Sequence, residues 1–99
     1  MAETMTRSGT LQSGMRIGDD VHYEYEMREA LTSDLFAAEE IASPTQPLRF
    51  NAALMTLQLT RVGTFEGPFT VDMIGRLKAD DYGILRATQL EMEDSGEAE

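Results

Sequence analysis

The chain has no cysteine and a single histidine among its 99 residues. Without thiols it can form neither disulfides nor thiolate metal sites, and the composition suits a reducing compartment. No apolar run approaches the roughly 18 residues of a membrane span. The opening residues, MAETMTRSGT, lack the apolar middle of a signal peptide, so an intracellular protein is expected. Neither G-x-S-x-G nor G-x-x-x-x-G-K occurs, which removes the usual activated serine and the phosphate cradle. No catalytic residue, cofactor or metal is expected.

Positive charge is also scarce. Eight Lys and Arg face eighteen Asp and Glu, a net charge of −10. Half of that excess sits in EMEDSGEAE, residues 91–99, with five acids and no base. Residues 50–90 carry four acids and four bases and are neutral. Such a chain has no electrostatic footprint for gripping phosphates, so nucleic-acid binding is not expected. The acidic end reads as a solvated, self-repelling tail.

What is present is ordinary globular composition, 41% hydrophobic and 26% charged, enough for one modest core. The expected organisation is a flexible segment over 1–9, one domain over 10–92 and a flexible acidic tail over 93–99. Leu11, Ser13, Met15 and Ile17 alternate with polar residues, and so do Val21, Tyr23, Tyr25 and Met27. Between these runs stands GDD, residues 18–20, which is turn chemistry. Two period-2 runs about a short turn predict a β-hairpin with one apolar face, which must lie on something to be stable.

That something is helical. In ALTSDLFAAEEIA, Thr32 or Ser33 can cap a helix whose Leu31, Leu35, Ala38 and Ala42 share a side, with Phe36 outside the stripe. SPTQP, residues 43–47, ends it. FNAALMTLQLTRVG, residues 50–63, carries two stripes, Phe50-Ala53-Leu54-Leu57 and Ala52-Met55-Leu59-Val62, with Gly63 as a stop. A helix apolar nearly all round is either central or covered on its outer face by another chain. Thr70 can cap a short helix to about Leu77. A last helix is expected from near Ala79 to about Met92, where Ile84 and Leu90 stand apart from Tyr82, Leu85 and Met92. The predicted fold is α+β, an N-terminal hairpin packed on three to four helices.

Adjacent Asp80 and Asp81 could grip a metal or share a proton. In the first helical turn they instead suit the exposed amides and the dipole. Consecutive helical residues point about 100° apart, so the two do not converge on one ion. Changing both to Asn is expected to cost no more than about 1–2 kcal/mol. His22 alternates onto the solvent side with Glu24. Of seven methionines, Met15, Met27, Met55 and Met73 read as core fillers and Met92 as a contact residue.

Two local patterns carry a family resemblance. One is MREALTSDLFAAEE, with Arg28 closing a strand and Asp34 opening a helix. The other is FTVDMIGRLKADDYGIL, with Leu77, Asp81, Tyr82 and Leu85 as a leucine, aspartate, aromatic, leucine series. Together with the hairpin, over residues 11–92, the chain resembles the tail assembly chaperones of contractile-tailed phages such as Mu and P2. It has REA where the family commonly has REP, and Lys78 where a capping serine is common. The resemblance implies a non-enzymatic factor made in the host cytoplasm and absent from the mature virion. Its implied partners are the tape measure protein and the tail-tube protein.

Apolar excess marks Met55, Leu59, Val62, Ile84, Leu90 and Met92 as partner-binding candidates, with a second copy of the chain as a further partner. The competing class is a small acidic inhibitor or nucleic-acid mimic. It needs carboxylates spread over a folded surface, and half of the charge here lies in the expected tail.

Overall fold

The structure is a computed structural model that describes residues 5–97, the side chains of 94–97 excepted. The elements run β1 (Thr6–Ile17), β2 (Asp20–Arg28), α1 (Thr32–Ile41), α2 (Pro47–Gln58), β3 (Leu59–Val62), α3 (Val71–Gly75) and α4 (Ala79–Glu97). The three strands form one antiparallel sheet in the order β1-β2-β3, giving the α+β architecture with an N-terminal hairpin. β1 begins earlier than expected, and α4 continues past Met92. The mobility expected of residues 1–4 and 98–99 concerns positions outside the described residues.

Gly18 and Asp19 make the two-residue hairpin loop between Ile17 and its partner Asp20. Gly18 has φ +64°, the left-handed value a II′-type turn asks of its first central residue. The apolar face of the hairpin is not continuous, however. The register shifts between Thr10↔Glu24 and Met15↔His22, so residues 11–14 of β1 stand against Tyr23 alone. Directly opposed residues share a side of the sheet, and an odd number of extra residues inverts the alternation. Beyond this bulge Met15 and Ile17 turn to the core together with half-buried His22, while Val21 and Tyr23 face solvent. Only Tyr25 and Met27 of the expected β2 face are buried.

The expected helix over 50–63 is two elements. Pro47 opens α2 at a position where its missing N–H costs nothing, and the helix ends at Gln58. Leu59–Val62 then pairs with β2 through Met27↔Leu59, Glu26↔Arg61 and Tyr25↔Val62. Leu59 and Val62 are three apart, which reads as one helical face. A bulged strand produces the same spacing, and the register shift at Glu26/Met27 turns both inward. Thr60 ties the strand down by donating to Glu26 O at 3.2 Å and Glu26 Oε1 at 2.7 Å. Gly63, with φ +61°, ends β3 rather than a helix, and a Cβ there would collide with the His22 ring.

α2 is the central helix. Ala53 and Leu54 pack with Ala38 of α1, while Ala52 and Met55 join the main core of Leu11, Met15, Tyr25, Met27, Val62, Ile74 and Leu85. α1 contributes a narrower stripe than expected. Asp34 and Ala38 are its buried residues, and Leu31 and Leu35 are exposed. Its N-cap is Leu31, not Thr32 or Ser33. Thr70 caps α3 as expected, accepting from Met73 N at 3.2 Å.

Every buried side-chain polar atom among the described residues has a hydrogen-bond partner. Gln89 of α4 donates to Gln58 Oε1 of α2 at 2.7 Å, and Gln58 Nε2 donates to Arg28 O of β2 at 3.1 Å. The Tyr25 ring lies across Gly9, where a Cβ would strike it, and its hydroxyl reaches Thr88 Oγ1 at 2.6 Å. Thr88 gives its one proton to Ile84 O at 3.2 Å, so Tyr25 is the donor to Thr88. Tyr25→Phe should therefore lower the unfolding free energy by about 1 kcal/mol in urea titrations without changing the slope.

Candidate partner-binding surface

The paired carboxylates take opposite roles. Asp80 is exposed, whereas Asp81 is 0% exposed. The side chain of Asp81 leaves the first turn of α4 and meets the β1 bulge. There Gln12 N donates to Oδ1 at 2.7 Å, and Ser13 N and Gly14 N donate to Oδ2 at 3.0 and 2.9 Å. A bulge that turns three successive amides the same way leaves donors that no strand can satisfy, and an ionised carboxylate suits them. Gly14, at φ +88°, permits the turn, since a Cβ there would press on Val21.

The other local pattern, with Arg28 and Asp34, is equally architectural. Arg28 and Asp34 form a bidentate pair, Nη1 to Oδ2 at 2.8 Å and Nη2 to Oδ1 at 3.0 Å. Nη2 also donates to Leu57 O at 2.9 Å, a carbonyl in the last turn of α2 that lacks a helical partner. Leu31 N donates to Asp34 Oδ2 at 2.8 Å. The Arg28 guanidinium holds the Asp34 carboxyl below its ordinary range, against the opposing effect of burial, with help from the Leu31 amide. The same pair holds Arg28 above its ordinary value. Tyr82 donates to Leu48 O at 2.8 Å, and burial pushes its phenol up despite nearby Arg86. Leu85 is fully buried, and Leu77 packs at the edge of the core. Among the described residues no three His, Cys, Asp or Glu side chains converge as a metal site would require.

Four of the six partner-binding candidates lie inside the chain's own core. Met55, Leu59, Val62 and Met92 are all buried there. Ile84 is half-buried against it, and Leu90 alone is exposed, at 44%. The excess that motivated them is absorbed by the sheet, because β3 turns Leu59 and Val62 onto β2.

The exposed apolar residues are elsewhere. Phe36 stands on the outer side of α1 with Leu31, Leu35 and Ile41 exposed along its flanks, and Leu48, 71% exposed, stands at the start of α2. Beside Leu48 runs an open groove of about 850 Å³, floored by Ala52, Val71, Ile74 and Leu77 with Tyr82 at one wall. A shallower hollow of about 500 Å³ around Ile41 and Ala42 shares Arg49 and Val71 with it, so the surface from α1 to α4 is continuous. Phe36 was visible in the sequence as the residue outside the α1 stripe. Leu48, the second residue of α2 directly after the SPTQP segment, carried no periodic cue.

A family model described as "Tail assembly protein gp41" matches residues 11–99. No curated protein and no solved structure matches the chain. The match spans the hairpin from Leu11 onward, the Arg28–Asp34 clamp and the Asp81 contact to the bulge, that is, the residues that hold sheet and helices together. The chain belongs to the tail assembly protein gp41 family of phage Mu.

Proposed function

We propose that this chain is a non-enzymatic chaperone of phage tail assembly. It holds apolar helical segments of the tape measure protein, helps bring tail-tube subunits to them, and works in the host cytoplasm without entering the mature virion. Family membership supports the tail assembly role. The observation that carries the chaperone reading is the open apolar groove of about 850 Å³ beside exposed Leu48, floored by Ala52, Val71, Ile74 and Leu77. A groove of this shape accepts the apolar stripe of an amphipathic helix.

Coexpression tests the reading. The chain should keep an otherwise insoluble tape measure fragment in solution and co-elute with it on size exclusion. Leu48→Glu should weaken that complex by roughly tenfold or more while the free chain melts as before, because Leu48 makes little of the core. Binding should persist in moderate salt, since apolar burial supplies most of it. The acidic-mimic reading gains one observation, because the backbone of residues 91–97 continues α4 as a helix. Salt-sensitive binding to a DNA-processing enzyme, with no effect on the tape measure fragment, would establish the mimic instead.

A further inference from the structure

The outer side of α1 and the groove are complementary, and we infer that they meet between two copies of the chain. On α1, Phe36 is 64% exposed and points away from buried Ala38, and Glu39 and Glu40 share its solvent side. No base occurs between Arg28 and Arg49, so this helix is an apolar knob set among acids. The groove has an apolar floor, and its margin carries two bases and one acid, Asp72. Arg49 and Arg76 line it, and Lys78 follows directly on Leu77. Arg49 and Lys78 have no ion-pair partner among the described residues. Arg76 pairs only with Asp72 on its own turn, both largely exposed, a contact easily exchanged for a better one.

In a chain of net charge −10, this clustering of cations beside an apolar groove selects an acidic apolar partner. α1 of a second copy is such a partner. Phe36 supplies the aromatic anchor that protein interfaces favour, and Glu39 and Glu40 supply the charges that set its register against Arg49 and Arg76. The hollow around Ile41, Ala42 and Val71 joins the C-terminal end of the knob's helix to the groove. A two-fold axis between them lets each copy insert its Phe36 into the other, which closes the assembly at two chains and leaves no free knob.

The inference concerns the free chain and stands apart from any client. Sedimentation equilibrium of the full chain should show a monomer–dimer equilibrium. Phe36→Glu should weaken dimerisation by roughly tenfold or more. Its circular dichroism melt, taken at a concentration where both chains are monomeric, should match that of the native chain, because the side chain lies outside the core. Glu39→Arg with Glu40→Arg should weaken dimers alone and restore them when mixed with Arg49→Glu, Arg76→Glu chains. A monomer at every soluble concentration overturns the proposal. So does a dimer indifferent to Phe36→Glu, a charge reversal without rescue, or an open-ended series of oligomers.

Discussion

Asp81→Ala should lower the unfolding free energy by about 3–5 kcal/mol, and Asp80→Ala beside it by less than about 1 kcal/mol. Asp81 is fully buried and accepts from three main-chain amides, two of them on one oxygen. Truncation leaves those donors without an acceptor and opens a void at the junction of β1 and α4. Water can reach part of the bulge, since Gln12 and Ser13 are exposed, which keeps the cost below the sum of three lost charged hydrogen bonds. A small domain has only about 5–15 kcal/mol in total, so this one change removes a large fraction. Asp81→Asn should fall between, about 2–3 kcal/mol, because its amide group turns a donor toward donors. The dipole and capping effects that suggest a cost of 1–2 kcal/mol for both residues together describe Asp80 alone. Urea titrations of the three variants decide it, and equal losses at positions 80 and 81 would contradict the bulge account.

Asp34→Asn should cost about 2–3 kcal/mol at neutral pH and should also flatten the acid side of the stability profile. The Asp34 carboxyl is lowered first by its hydrogen bonds to Arg28 and then by the Leu31 amide. A carboxyl lowered on folding adds stability that is complete above its unfolded value of about 4 and is lost as pH falls through the folded value. The native chain should therefore lose its advantage over Asp34→Asn as pH drops below about 4, and the two curves should converge. Parallel curves down to the acid limit would show that the carboxylate is not the titrating element. Arg28→Lys should recover little of the native stability, because an ammonium cannot span both Asp34 oxygens and Leu57 O at once.

The sequence by itself determined whatever depends on neighbours along the chain. The Gly18-Asp19 turn, the Thr70 cap, and the break at 43–47 between α1 and α2 follow from local backbone preference and apolar period. The sequence also placed Arg28 at a strand end and Asp34 at a helix start, but their pairing came from the structure. Tertiary structure decided the rest, because the deciding partners are distant. β3 exists because β2 offers an unpaired edge to residues 59–62, and a spacing of three suits a bulged strand as well as a helix. The bulge in β1 exists because Asp81, some 67 to 69 residues away, satisfies its amides. That inversion of the hairpin exposes Val21 and Tyr23 and turns His22 toward the core in their place. For the same reason the surplus apolar surface could not be located from periodicity. A stripe tells which side of a helix is apolar, but only the packing of α1 through small Ala38 and of β3 onto β2 leaves Phe36 and Leu48 outside while drawing Leu59, Val62 and Met92 in.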